Sequence, residues 1–131
     1  LLEFCRKLVV KNISFVNTDY KKFKLDSLTS NDFCYFDPPY YLGDASYNEN
    51  DGWNENKEKE LLEYLNEVDK HGIKFALSNV TEHKGLKNEM LINWAIENQY
   101  NIHNLNYNYS NSNYHLKNKN QVTKEVLITN Y

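Results

Sequence analysis

Phe33-Cys34-Tyr35-Phe36-Asp37-Pro38-Pro39-Tyr40 decides the fold. Its first half is a short apolar and aromatic run with the composition of a buried strand. Its second half cannot continue one, because two prolines remove two backbone donors and fix φ. The strand therefore ends at Phe36, and an acid, two ring-locked residues and an aromatic follow it. Open α/β sheets bind their ligands in the crevice outside the carboxyl ends of strands. That position makes Asp37, Pro38, Pro39 and Tyr40 the candidate site. The alternative reading is a Pro-Pro turn with Tyr40 packed on the surface.

Working outward, residues 1–10 read as a short amphipathic helix with Leu1, Phe4, Cys5 and Leu8 on one stripe. Ile13 to Val16 predicts a strand that runs into the polar end Asn17-Thr18-Asp19-Tyr20. Residues 37–56 hold both prolines and several Gly, Asn and Asp, and predict a long loop. Asn56 is the expected N-cap of a helix over 57–70, with Leu61, Leu62, Tyr64, Leu65 and Val68 inward and Gly72 ending it. Ile73 to Leu77 predicts a strand closing in Ser78-Asn79. A helix over 86–98 follows, with Leu86, Met90, Leu91, Trp94 and Ala95 inward. Tyr100 to Tyr107 predicts a strand, 108–121 a polar Asn-rich loop, and Val122 to Thr129 a last strand. The order indicates an α/β sheet, parallel at first and ending in an antiparallel strand pair.

The bulk properties bound the rest. A chain of 131 residues builds one small domain around one core. Charged residues at 25% and hydrophobic residues at 40% are ordinary for a globular protein. No apolar run is long enough to span a membrane. Leu1 to Val10 lacks the pattern of a signal peptide, so a cytoplasmic location is expected. Cys5 and Cys34 have no metal-ligand spacing, nor do His71, His83, His103 and His115, so no metal site is expected. Cys34 is expected to be a buried reduced thiol. The net charge of −3 argues against this chain alone gripping a polyanion. The chain begins at Leu1 and its one methionine is Met90, as expected of a piece of a longer polypeptide.

The motif suits one chemistry. An adenine amino group is a poor nucleophile because its lone pair is delocalised into the ring. An acceptor on each amine hydrogen draws the nitrogen toward a tetrahedral shape and frees that lone pair. Asp37 supplies one acceptor, and the Pro38 carbonyl, held by proline's fixed φ, supplies the other. Tyr40 can stack on the base, an interaction of about 1–3 kcal/mol. A base in duplex DNA must first be turned out of its stack.

The run from Phe33 to Tyr40 resembles the catalytic motif of adenine-N6 DNA methyltransferases. The order of the flanking features is similar to the alpha group, the Dam-like class. These features are Ser46-Tyr47-Asn48, Gly52-Trp53, Glu60-Leu61-Leu62 and Gly72-Ile73-Lys74-Phe75-Ala76-Leu77-Ser78-Asn79. They continue with Glu82-His83-Lys84-Gly85, Ser110-Asn111-Ser112-Asn113-Tyr114 and Glu125-Val126-Leu127-Ile128-Thr129-Asn130-Tyr131. The resemblance covers about residues 13–131.

It implies the C-terminal part of a Rossmann-like sheet that uses S-adenosylmethionine and acts on an adenine in double-stranded DNA, as in restriction-modification. Asp37, Pro38, Pro39 and Tyr40 match the amine-binding and stacking positions, and Asp37 also touches the cofactor. Asn17, Thr18 and Asp19 resemble the segment edging the cofactor's adenine; Asp19 can equally be a surface turn acid. Ser78 and Asn79 face the same crevice or cap the next segment. Ser46, Tyr47 and Trp53 close over the flipped base or the DNA backbone, or Trp53 simply packs. Asn113 and Tyr114, with Lys117, Lys119 and Lys124, approach phosphates or form a solvated loop. The helix run Lys57-Glu58-Lys59-Glu60 reads as a solvated face.

The sequence departs from the family in one way. Dam-like enzymes carry a Phe-x-Gly-x-Gly cofactor loop and a target-recognition segment ahead of this region. Of Gly43, Gly52, Gly72 and Gly85, none lies in such a pattern. An uncovered sheet edge is therefore expected, met by repacking, dimerisation or a companion polypeptide, and so is weak or no cofactor binding by this chain alone. The competing readings are an RNA or protein N-methyltransferase, and a catalytically dead remnant or binding module.

Overall fold

A computed structural model describes residues 13–42, 52–105 and 123–131, together with Arg6. Its centre is a mixed sheet of five strands. β1 (Phe33–Phe36), β2 (Lys74–His83), β3 (Leu86–Lys87), β4 (Asn101–Leu105) and β5 (Thr123–Thr129) are joined with two helices, α1 (Glu55–Lys70) and α2 (Glu89–Glu97). The strand order is β1-β2-β5-β4, with β3 pairing the far end of β2. β1 runs parallel to β2, with Phe36 level with Leu77. β5 runs antiparallel to both β2 and β4. The sheet is thus parallel at one side and antiparallel at the other, as expected.

The core lies on one face of this sheet. Leu61, Leu62, Leu65 and Val68 of α1 and Leu91, Trp94 and Ala95 of α2 pack on Phe75 and Leu77 of β2 and Val126 and Ile128 of β5. Cys34 and Phe36 of β1 lean on the same cluster. Their alternation with Phe33 and Tyr35, both more than half exposed, is the period-two pattern of a strand with one face inward. Cys34 is free and half-buried rather than fully buried.

Both helices stop by the same device. After α1, the Ile73 amide bonds the Val68 carbonyl at 3.2 Å and the Gly72 amide bonds Asp69 at 2.7 Å. After α2, Tyr100 bonds Ala95 at 2.8 Å and Gln99 bonds Ile96 at 3.0 Å. Each pair is a Schellman closure, which needs a left-handed residue. Gly72 takes φ +71° without strain; Gln99 takes φ 59° with its side chain in place.

Several boundaries differ from expectation. α1 starts two residues early because Asn54, not Asn56, accepts the Lys57 amide at 3.0 Å. β2 does not end at Ser78-Asn79 but runs on to His83, since β5 and β3 offer it ladder partners beyond that point. Leu86 is 65% exposed and belongs to β3 rather than to a helix, and Asn88 caps α2 through Leu91. Ile13 to Val16 forms no strand: no described strand pairs with it, and Phe15 and Val16 stand exposed. Among the described residues nothing pairs with the outer edge of β1. The proposed helix over 1–10 lies outside the described residues apart from helical Arg6, and so do the segment 108–121 and the ends of the last two strands.

Candidate active site

The site is built at the carboxyl end of β1. Parallel pairing stops at Phe36 and Leu77, and the chain then leaves the sheet as Asp37-Pro38-Pro39-Tyr40 while β2 continues beside it. The divergence opens a crevice with Asp37 exposed at its rim and Pro38, Pro39 and Tyr40 half-buried. Two cavities open on it and a third adjoins the first of them. One of about 260 Å³ is lined by Tyr20, Tyr35, Phe36, Asp37, Pro38, Pro39, Trp53 and Leu61. A second, of about 380 Å³, is lined among the described residues by Asp37 to Tyr40. A third, of about 610 Å³, is lined by Thr18, Asp19, Tyr20, Lys21, Trp53, Asn54, Asn56, Lys57 and Glu60. The first and third share Tyr20 and Trp53, so two aromatic rings stand between Asp19 and Asp37.

Tyr40 is fixed from β2. Its hydroxyl lies 3.1 Å from that of Ser78. Burial pushes the Tyr40 phenol above its usual pKa, and Asp37 adds to the rise while the Ser78 bond opposes it. The ring therefore stays neutral at physiological pH. Ser78 projects from the strand face opposite Leu77 and Asn79. Asn79 is fully buried, and its amide donates to Glu58 at 2.9 Å. The pair Ser78-Asn79 is thus split: one residue touches the motif, and the other faces the helices.

Asp19 sits on the third cavity and also caps the short 3₁₀ turn Tyr20–Lys22 by accepting the Lys21 amide at 2.9 Å. The Lys21 ammonium bonds Glu60 of α1 at 2.7 Å and ties that turn to the helix. Asn17 is exposed and does not line the cavity. Lys124 is engaged with Glu82 at 2.6 Å. Ser46, Tyr47, Asn113, Tyr114, Lys117 and Lys119 lie outside the described residues. Among the described residues no cluster of His, Cys, Asp or Glu could hold a metal ion, and no helix is long and apolar enough to cross a membrane.

Two residues of the site escaped the sequence reading. Tyr20 lines both aromatic-walled cavities yet looked like the tail of a polar strand end. Glu58 is fully buried instead of solvated. The signal was present in its phase: positions 58, 61, 62, 65 and 68 form one helical stripe, and all five are buried.

A family model described as D12 class N6 adenine-specific DNA methyltransferase matches residues 5–111. The chain belongs to that family. It is 44% identical over 135 aligned positions to Modification methylase StsI of Streptococcus sanguinis, covering 100% of this chain and 20% of that protein. It is 42% identical, with the same coverage, to Type II methyltransferase M.FokI of Planomicrobium okeanokoites. Modification methylase LlaI of Lactococcus lactis subsp. lactis is 39% identical over 101 positions, which are 74% of this chain and 15% of that protein. The chain spans about a fifth of the length of the first two of these relatives. The family match runs through the Asp37-Pro38-Pro39-Tyr40 crevice and both aromatic-walled cavities beside it.

Proposed function

We propose that this chain carries the methyl-transfer motif of a DNA methyltransferase that modifies the N6 amine of an adenine turned out of the duplex. The observation that carries this reading is the placement of Asp37-Pro38-Pro39-Tyr40 at the open carboxyl end of β1 in a D12-family chain. The names of the three relatives, all modification methylases or methyltransferases, support the same class. The sheet is then the C-terminal part of a Rossmann-like sheet, with further strands or a companion polypeptide on the free edge of β1. A cytoplasmic location fits this role.

Each residue has a defined task. The Asp37 carboxylate accepts one amine hydrogen and the Pro38 carbonyl accepts the other, so the nitrogen lone pair points away from the ring. Pro39 keeps the backbone from relaxing. Tyr40, neutral and held on Ser78, stacks on the base. S-adenosylmethionine, when bound, supplies an electrophilic methyl group. The described residues suit such a group: an exposed carboxylate at Asp19 for an adenine edge, aromatic walls at Tyr20 and Trp53, and Asp37 beyond them. Asn17 lies beside that end. Ser46, Tyr47, Asn113 and Tyr114 are assigned to the base and the DNA backbone. Positioning of the amine, more than any proton transfer, accounts for the rate. Alone, this chain is expected to bind S-adenosylmethionine weakly or not at all; low-micromolar binding in a calorimetric titration would contradict that expectation.

The test is an exchange. The chain replaces the matched segment of Modification methylase StsI, and the product is assayed for methyl transfer to duplex DNA and to ribosomal RNA. N6-methyladenine in the duplex is the expected product. A folded, cofactor-binding exchange protein that methylates only RNA, or nothing, overturns the reading.

A further inference from the structure

Glu58 is a buried acid with no cation paired to it among the described residues, and nothing in the proposed reaction uses it. Its surroundings are nevertheless complete. The Trp53 indole donates to Oε2 at 2.6 Å. Asn79 donates to Oε1 at 2.9 Å, and Asn88 donates to the same oxygen at 3.2 Å. The orientation of both amides is fixed independently. Asn79 Oδ1 accepts the Val80 amide at 2.7 Å, and Asn88 Oδ1 accepts the Leu91 amide at 3.2 Å. Each must therefore turn its NH₂ toward Glu58. Among the described residues the acid accepts three hydrogen bonds. It also sits in the first turn of α1, where the helix dipole favours negative charge.

This arrangement joins three elements to one ring. Asn79 is in β2, Asn88 is the cap of α2, and Glu58 is in α1. Among the described residues, the group they hold from outside the regular elements is Trp53, two residues before α1. That indole, with Tyr20, lines both the Asp37 cavity and the Asp19 cavity. A structural role alone needs no indole here, since Glu58 could be replaced by an apolar side chain of similar size.

We infer that Glu58 is a positioning residue for methyl transfer: it fixes the Trp53 ring as the wall against which the reacting groups beside Asp37 are held. The inference rests on the methyltransferase reading of the motif. Glu58→Gln separates the two possibilities by chemistry. Glutamine keeps the volume and one acceptor oxygen, but its NH₂ must face either the indole N–H, which loses one donor contact, or the two asparagine amides, which loses two.

The experiment uses the full chain labelled with fluorotryptophan. It has two tryptophans, so fluorine NMR gives two lines, and Trp53→Phe identifies the one from Trp53. In Glu58→Gln the Trp53 line is expected to move or broaden while the Trp94 line stays in place. An unmoved Trp53 line overturns the inference. If Glu58→Gln unfolds the chain and both lines collapse, Trp53→Phe decides instead: the backbone amide signals of Asp37 and Tyr40 must shift while those of α2 do not. In the exchange protein, Glu58→Gln should lower kcat about tenfold or more with little change in KM for DNA, as a displaced wall implies. An unchanged kcat also overturns the inference. An exchange protein inactive with Glu58 intact counts against the methyltransferase reading, and the fluorine lines then decide the Glu58–Trp53 link by themselves.

Discussion

The hydroxyls of Tyr40 and Ser78 lie 3.1 Å apart, bridging the residue that ends the motif and the strand that outruns it. The contact exists because β2 continues past the level at which β1 stops, which brings Ser78 alongside the departing chain. Ser78→Ala removes one partner of a half-buried pair. It should cost about 0.5–1.5 kcal/mol, the usual net value of one such bond. Urea unfolding of the two proteins measures it. In the exchange protein, methyl transfer should fall by more than stability does, because the ring proposed to stack on the base has lost this contact with β2.

Asp37 behaves in the opposite way. It is exposed, and among the described residues no hydrogen bond or ion pair uses its carboxylate to hold the fold. Asp37→Ala should therefore change stability by less than about 0.5 kcal/mol. Methyl transfer by the exchange protein should drop by about 10²-fold or more, because one of two acceptors on the amine is gone. A variant that folds normally and still methylates at the parent rate would remove Asp37 from the mechanism.

Much of this was legible in the chain. Phe33 to Phe36, the α1 stripe and the apolar run Val126-Leu127-Ile128 each depend on local composition or periodicity, and each formed the expected element. The strand end at Phe36 was readable because two prolines forbid a ladder. What failed depended on partners distant in sequence. β2 passes Asn79 only because β5 arrives from more than forty residues away, and Ile13 to Val16 stays out of the sheet because no described strand lies alongside it. Glu58 was misread because charge was weighed above helical phase. The cap moved from Asn56 to Asn54 because both are good caps and tertiary contacts choose between them.

Asn130 shows how a closing residue can carry structure. Its amide donates to Asp69 at 2.6 Å and to the Ile73 carbonyl at 3.0 Å, and its oxygen accepts the Phe75 amide at 2.8 Å. One side chain thus satisfies the turn between α1 and β2 from the end of β5. Asn130→Ala leaves those groups half-buried without it and should cost about 1–3 kcal/mol. Asn130→Asp retains the acceptor for Phe75 but sets a second carboxylate against Asp69. It should be at least as harmful, because one donor is replaced by a like charge. Thermal unfolding of the two variants at neutral pH checks the order.

The alkaline limit of stability follows from the tyrosines. Burial is the first cause raising the phenols of Tyr20, Tyr40, Tyr64 and Tyr100 above their ordinary value of 10.0. Tyr100 rises furthest, with Asp69 beside it adding to the effect of burial. A raised folded value means that the folded chain holds its protons more tightly than the unfolded one. The stability so gained is complete below the unfolded value and is lost as pH climbs through the folded values. The unfolding midpoint should therefore be flat toward pH 9 and fall steeply above about pH 10, where free phenols ionise. Tyrosinate absorbance should lag behind that of the denatured chain until unfolding, then rise with it. Tyr100→Phe keeps the ring contacts with Phe75 and Trp94 and removes the hydroxyl, so it should soften the alkaline fall. An unchanged alkaline slope in Tyr100→Phe would place the loss with the other three rings.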